Sequence, residues 1–291
     1  MTPHGPMVHG FYDEGTGSVA YIVADPGTGR CVIIDPVLGF DRASGATDTR
    51  LADKIADNIQ ARRLTVEWVL DTHPHADHLS AVAYLGEQLG APTGIGARVA
   101  AVQEIWADIY NLPGLQMEGH RYWDRLFAEG DRFRVGGLEV EVLFSPGHTA
   151  ASVTYLIGDA AFVHDTVFMP DSGTARTDFP GGDARALYRS IQKIFALPPK
   201  TRLFTGHDYR PGGREACWES TVAKQRACNI HLNDHVSEEE FVGFREERDR
   251  TLPLPGLMLA ALQINLRGGR LPEPEANGTS YLKLPLNRVG M

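Results

Sequence analysis

The sequence predicts an α/β fold with a helical C-terminal extension. Three observations carry this: short runs rich in β-branched residues, helical periodicity between them, and glycine or proline turns at many of the joins. Val19–Ala24 and residues 31–35 read as strands joined by the turn DPGTG (25–29), hence a hairpin. In residues 48–63, Leu51, Ile55 and Ile59 recur every fourth position, which predicts an amphipathic helix. Thr65–Leu70 (TVEWVL) is a strand by residue type, residues 79–89 read as a helix stopped by Gly90, and Val99–Tyr110 has helical spacing. Two more hairpins are expected, Arg132–Val135 with Leu138–Phe144, and Val153–Ile157 with residues 161–164. Residues 183–197 place Leu187, Ile191, Ile194 and Phe195 on one helix face, and Arg202–Thr205 is another strand. Residues 213–266 read as mostly helical. Within them, residues 237–250 open with a serine cap and three glutamates and close on basic residues, as the helix dipole favours. One domain over residues 1–291 is expected, with a core of about 8–210 and an extension of about 211–291.

Composition narrows the function classes. With 28 Lys+Arg against 37 Asp+Glu the net charge is -9, which disfavours a nucleic-acid surface because phosphate binding draws on positive charge. The contents of 43% hydrophobic and 22% charged residues are those of a folded globular chain. Cys31, Cys217 and Cys228 are odd in number and lack a CxxC, so neither a disulfide framework nor a thiolate zinc knuckle is indicated. They read as structural. No apolar run approaches the roughly 18 residues of a membrane span, and residues 1–8 lack signal-peptide character, so a cytoplasmic protein without membrane partners is expected.

Histidine is the residue out of proportion. His73, His75 and His78 fall within six residues together with Asp77. Three imidazoles and a carboxylate so close repel one another's protons and are costly to bury without a cation, so the cluster reads as a metal site. Three further segments carry ligand-type residues just past predicted strands: His148 in SPGHT, Asp165 after AAFVH, and His207 in TGHD. Loops beyond strand ends converge on the crevice where such folds bind ligands. Imidazole and carboxylate without thiolate suit zinc, iron or manganese. Taken singly, His148, His207 and Asp165 also fit ordinary structural roles.

THPHADH (72–78), SPGHT (145–149), Asp165 before Thr166, and GHD (206–208), in this order, resemble the metallo-β-lactamase superfamily, which implies an αββα sandwich. The stretch GTARTDFPGGD (173–183), continuing to Tyr209, resembles the persulfide dioxygenases, especially their bacterial β-lactamase-hydrolase-like members. That resemblance implies one Fe(2+) per chain held by His73, His148 and Asp165, with His75, Asp77, His78 and His207 lining the site rather than holding a second metal. Two histidines and one carboxylate leave positions open for a substrate sulfur and dioxygen. The implied reaction converts glutathione persulfide, O2 and water to sulfite and glutathione. No GxGxxG fingerprint is present, in keeping with a reaction whose electrons all come from the substrate.

Arg176 and Tyr209 match family positions near the glutathione site, and Arg226 is a third candidate on the helix beyond. Arginine can grip a carboxylate with two parallel hydrogen bonds. The competing role for Arg176 is a salt bridge with Asp178 or Asp183, and for Tyr209 packing against the metal loop. His164 departs from the glycine common in relatives. A hydrogen-bond donor or a surface residue is expected there rather than another ligand, because successive strand residues point to opposite faces. His4, His9, His120, His231 and His235 have no motif context and read as surface residues.

The main competing function is a dinuclear thioester hydrolase of the glyoxalase II type, in which zinc replaces iron and all seven ligands act. A sensor that has lost catalysis is disfavoured by the complete ligand set, and a nuclease by the lack of a basic track. The resemblance further implies a separate sulfurtransferase as persulfide supplier, since the sequence shows no room for a fused one. A homodimer is expected, with the apolar segment 252–266 as its surface or, alternatively, packed on its own sandwich.

Overall fold

The computed structural model describes residues 5–117 and 121–289; His4 and His120 lie outside them. The first half of the chain runs through β1 (Met7–Tyr12), β2 (Val19–Ala24), β3 (Arg30–Ile34), β4 (Val37–Asp41), β5 (Ala46–Asp48), α1 (Arg50–Ala61), β6 (Thr65–Leu70), β7 (Leu79–Ser80), α2 (Val82–Leu89), β8 (Thr93–Gly96), α3 (Val99–Tyr110), α4 (Pro113–Met117) and β9 (Arg125–Phe127). The second half adds β10 (Arg132–Val135), β11 (Leu138–Phe144), β12 (Val153–Ile157), β13 (Ala160–His164), α5 (Ala184–Phe195), β14 (Arg202–Thr205), β15 (Glu219–Thr221), α6 (Val222–Cys228), α7 (Glu238–Asp249) and α8 (Met258–Asn265). Two six-stranded sheets result, ordered β1-β2-β3-β6-β8-β9 and β10-β11-β12-β13-β14-β15, with β5-β4-β7 as a small third.

Side-chain alternation along the strands sets the layers. In β2, Val19, Tyr21 and Val23 join the core between the two large sheets, where they meet Val140, Val142 and Tyr155. Ala20, Ile22 and Ala24 face the other way into a core shared with α1, α2, α3 and α8. The outer face of the second sheet packs Ala161 and Val163 against Leu187, Ile191, Val222 and Phe241 of α5, α6 and α7. Helix, sheet, sheet and helix therefore stack as an αββα sandwich. Strands β3, β6 and β8 pair in parallel through helical crossovers, which sends the loop after β6 out at one edge of the sheet.

Four expectations need correction. The helix expected over 79–89 starts only at Val82, because Leu79 and Ser80 pair with β4 and the Ser80 hydroxyl bonds to Asp71. Within 213–266, Glu219–Thr221 is a strand that completes the second sheet against β14. The segment 252–266 is no bare surface: Met258, Ala261, Leu262, Ile264 and Leu266 are buried against this chain's own first sheet layer. At about 1.5–3 kcal/mol for each large apolar side chain removed from water, intramolecular packing is the stable use of that segment. His231, expected at the surface, is half-buried, and its Nδ1 accepts a hydrogen bond from the Thr174 backbone N–H. The serine cap on α7 is present as a capping box, Ser237 accepting from the Glu240 N–H and Glu240 accepting in return.

Candidate metal centre

The loop after β6 is fixed before any histidine is reached. Asp35, at the end of β3 with a positive φ of 50°, accepts from the Thr72 backbone N–H at 2.7 Å and its hydroxyl at 2.8 Å. Further along, the Asn265 side-chain amide donates to the carbonyls of His75 and His78 at 2.7 and 2.8 Å, while its oxygen accepts from the Ser80 N–H. The loop backbone is thus clamped from β3 on one side and α8 on the other. Ser18, just before β2, places its hydroxyl 3.1 Å from both Asp77 Oδ2 and His78 Nδ1.

The sequence-selected ligands converge. His73, His148 and Asp165 each offer a ligand atom within 4.8 Å of the other two, and all three are buried. Asp165 Oδ2 lies 3.9 Å from His73 Nε2, 3.7 Å from His148 Nε2 and 3.4 Å from His207 Nε2. His148 donates its Nδ1–H to the Arg176 carbonyl at 2.8 Å, which leaves Nε2 as a bare lone pair facing Asp165. His73 Nε2 is buried with no hydrogen-bond partner, and so is Asp165 Oδ1. Buried polar atoms are normally satisfied, so orphans on converging ligand atoms point to a missing cation.

A second group forms beside the first from Asp77, Asp165 and His207, and a third from His75, Asp77 and His78. His75 has Nε2 3.1 Å from Asp35 Oδ1 and leaves Nδ1 buried without a partner; His78 Nε2 is likewise unpartnered.

Electrostatics follow the same logic. Burial, then the neighbouring imidazoles of His75, His164 and His148, hold His73 well below the ordinary histidine range, so it is neutral and free to ligate. Burial opposes ionisation of Asp165, but His207 and His148 outweigh it and bring the carboxyl to about 2. Burial likewise opposes charge on His207, yet Asp165 and Asp77 lift it to about 10. A proton on His207 between two carboxylates stands where a cation's charge would otherwise serve. The set fits a divalent metal bound by nitrogen and oxygen.

The outer residues sort themselves. A cavity of about 570 Å³ opens over Asp77, His148 and Asp165, walled by Phe168, Phe179 and Tyr209 and roofed by residues 252–257. Arg176 lines it, but its guanidinium forms the Asp178 salt bridge with two bonds of 2.7 Å and also donates to the Pro253 carbonyl. Tyr209 lines it too, exposed at its edge and stacked at 4° on the His207 ring. Arg226 does not line the cavity: it pairs with Asp234 at 2.8 Å. His164 is buried rather than at the surface, its Nε2 2.9–3.0 Å from the Thr166 and Ser145 hydroxyls. Strand alternation failed there because the β13–β14 register shifts between Phe162 and His164, where φ is 40°. Sequence reasoning missed Asp35, Asn265, His231, Arg245 and Arg248. Only Asp35, a carboxylate ending an apolar strand, left a signal to find.

The Metallo-beta-lactamase superfamily pattern matches residues 13–207. The chain belongs to this superfamily. A beta-lactamase hydrolase-like protein of Xylella fastidiosa (strain Temecula1) is 62% identical over 284 residues, which cover 98% of this chain and 65% of that protein. The chain thus spans just under two thirds of that curated relative. The human mitochondrial persulfide dioxygenase ETHE1 is 31% identical over 252 residues, 86% of this chain and 83% of the relative. Among solved structures, ETHE1 from Myxococcus xanthus superposes with a TM-score of 0.73 at 30% identity, covering 91% of this chain and all of the other. The superfamily's αββα scaffold is the fold described above, and its fold alone does not specify a reaction.

Proposed function

We propose that this protein is a persulfide dioxygenase with a mononuclear ferrous centre held by His73, His148 and Asp165. The convergence of those three donors is the observation that carries the reading: two imidazole nitrogens and one carboxylate within 4.8 Å of one another. Similarity to persulfide dioxygenases over most of the chain supports it. Glutathione persulfide, dioxygen and water would give glutathione, sulfite and two protons; the terminal sulfur loses four electrons and dioxygen gains them.

Iron held by this triad supplies open coordination positions and one-electron redox chemistry. The chain's own residues do the rest. The Arg176 carbonyl keeps the His148 proton on Nδ1 and so keeps Nε2 available. His207 and Asp77, 3.3 Å apart and next to Asp165, can take up and pass on the protons that the reaction releases. Phe168, Phe179 and the roof 252–257 shield the reacting sulfur from bulk water. A separate sulfurtransferase supplying the persulfide belongs to the same reading. Among the described residues no helix is long and apolar enough to cross a membrane.

A dinuclear hydrolase remains the competing function, favoured by the second convergence of Asp77, Asp165 and His207. Anaerobic iron reconstitution followed by dioxygen uptake with glutathione persulfide, with S-lactoylglutathione hydrolysis as control, separates them. Uptake with about one iron per chain supports the dioxygenase. Thioester hydrolysis with two metals and no uptake overturns it.

A further inference from the structure

Charge is distributed unevenly around the cavity. Its only acidic lining residues among those described are Asp77 and Asp165, both part of the metal cluster on the floor. The outer wall carries three guanidinium groups, those of Arg176, Arg245 and Arg248. Two are already committed. Arg176 is tied to Asp178 and to the roof carbonyl of Pro253. Arg245, with its side chain 1% exposed, is tied to Asp249 and the Thr174 carbonyl.

Arg248 differs. It sits one turn after Arg245 on α7, lines the cavity and is exposed, and among the described residues its guanidinium has no hydrogen bond or ion pair. Arg245, one turn back, is also positive; burial first, and then both guanidinium groups, hold the His231 imidazole neutral. An arginine without a partner among the described residues, beside another arginine and on a wall whose nearby carboxylates, Asp178 and Asp249, are already paired with Arg176 and Arg245, favours an anion from solution.

We propose that Arg248 anchors a carboxylate of the sulfur-bearing substrate at the outer wall while the sulfur reaches the metal floor. The inference rests on the thiol-compound reading above and moves the recognition of the substrate's carboxylate from Arg176 and Arg226 to α7. Arg176 instead holds the roof, and Arg226 is turned to Asp234. A ligand lacking carboxylates would lose this contact and keep the rest of the site.

The test uses the full metal-loaded chain and reduced glutathione as probe in isothermal titration calorimetry, comparing wild type with Arg248→Ala and Arg248→Glu. Loss of one charge-assisted contact weakens binding about ten- to hundredfold. The reversed charge should weaken it further. Glutathione with esterified carboxylates should bind wild type and Arg248→Ala alike. In steady state, Arg248→Ala should raise KM for glutathione persulfide and leave kcat near wild type, a split that a structural defect would not give. Equal glutathione affinity in wild type and Arg248→Ala, or no measurable affinity in wild type, overturns the anchor. Absent dioxygen uptake with Arg248-dependent glutathione binding intact overturns the dioxygenase reading and leaves the anchor standing.

Discussion

Asn265 donates its side-chain amide to the carbonyl of His75 at 2.7 Å across a sequence separation of 190 residues. The same amide group also serves His78 and Ser80, so one residue at the end of α8 satisfies three buried backbone groups of the metal loop. Truncation would leave all three without partners, at about 1–3 kcal/mol for each that water cannot reach. Asn265→Ala should therefore lower stability by roughly 3 kcal/mol and weaken metal retention together, as read by thermal melting and metal analysis of the purified protein.

The ligand assignment predicts a graded series. His73→Ala, His148→Ala and Asp165→Ala should each purify nearly metal-free. Asp77→Asn should keep about one metal per chain while metal affinity or turnover falls roughly 10–100-fold, the effect of a group that orients ligands without binding the metal. If wild type holds two metals and Asp77→Asn holds one, the hydrolase reading gains.

Gly147 precedes the ligand His148 at a φ of 141°, and a Cβ there would stand 2.3 Å from the Leu187 Cα on α5. Backbone cannot yield as a flexible side chain can. Gly147→Ala combines overpacking, about 1–3 kcal/mol, with a backbone conformation that L-residues avoid. The expected result is a lower melting temperature and a displaced His148, visible as lost metal even in protein that remains folded.

Acid sensitivity should have an identifiable contributor away from the metal. Burial, with Arg245 and Arg248 alongside, lowers the His231 pKa to about 4, whereas in the unfolded chain it titrates near 6.5. Between those values the unfolded state binds a proton that the folded state refuses, so stability falls as pH drops from about 6.5 to about 4 and then levels off. His231→Gln should flatten this part of a melting-temperature profile. An unchanged slope would assign the loss to other groups.

Much of the sandwich was legible because its strands are short, β-branched and bounded by glycine turns, and Thr65–Leu70, Arg132–Val135 and Leu138–Phe144 occupy the ranges read from sequence. The convergent histidines and carboxylates were legible because HxHxDH concentrates chemistry that burial alone would penalise. What escaped was tertiary. Ser80 leaves the helix for a bond to Asp71, His164 breaks strand alternation at a register shift, and the 252–266 segment finds its own sheet layer. Arg226 was a candidate in the sequence and Arg248 was not, because only folding decides which arginine meets a carboxylate of its own.

Arg176 faces two directions at once, its carbonyl steering the His148 imidazole and its guanidinium holding the Pro253 carbonyl in the roof. It works as a strut between the cavity's floor and its lid. The roof and the base of the cavity are thereby joined through one residue. A substitution at Arg176 itself would remove the guanidinium contact to the roof while leaving the carbonyl that orients the His148 ring.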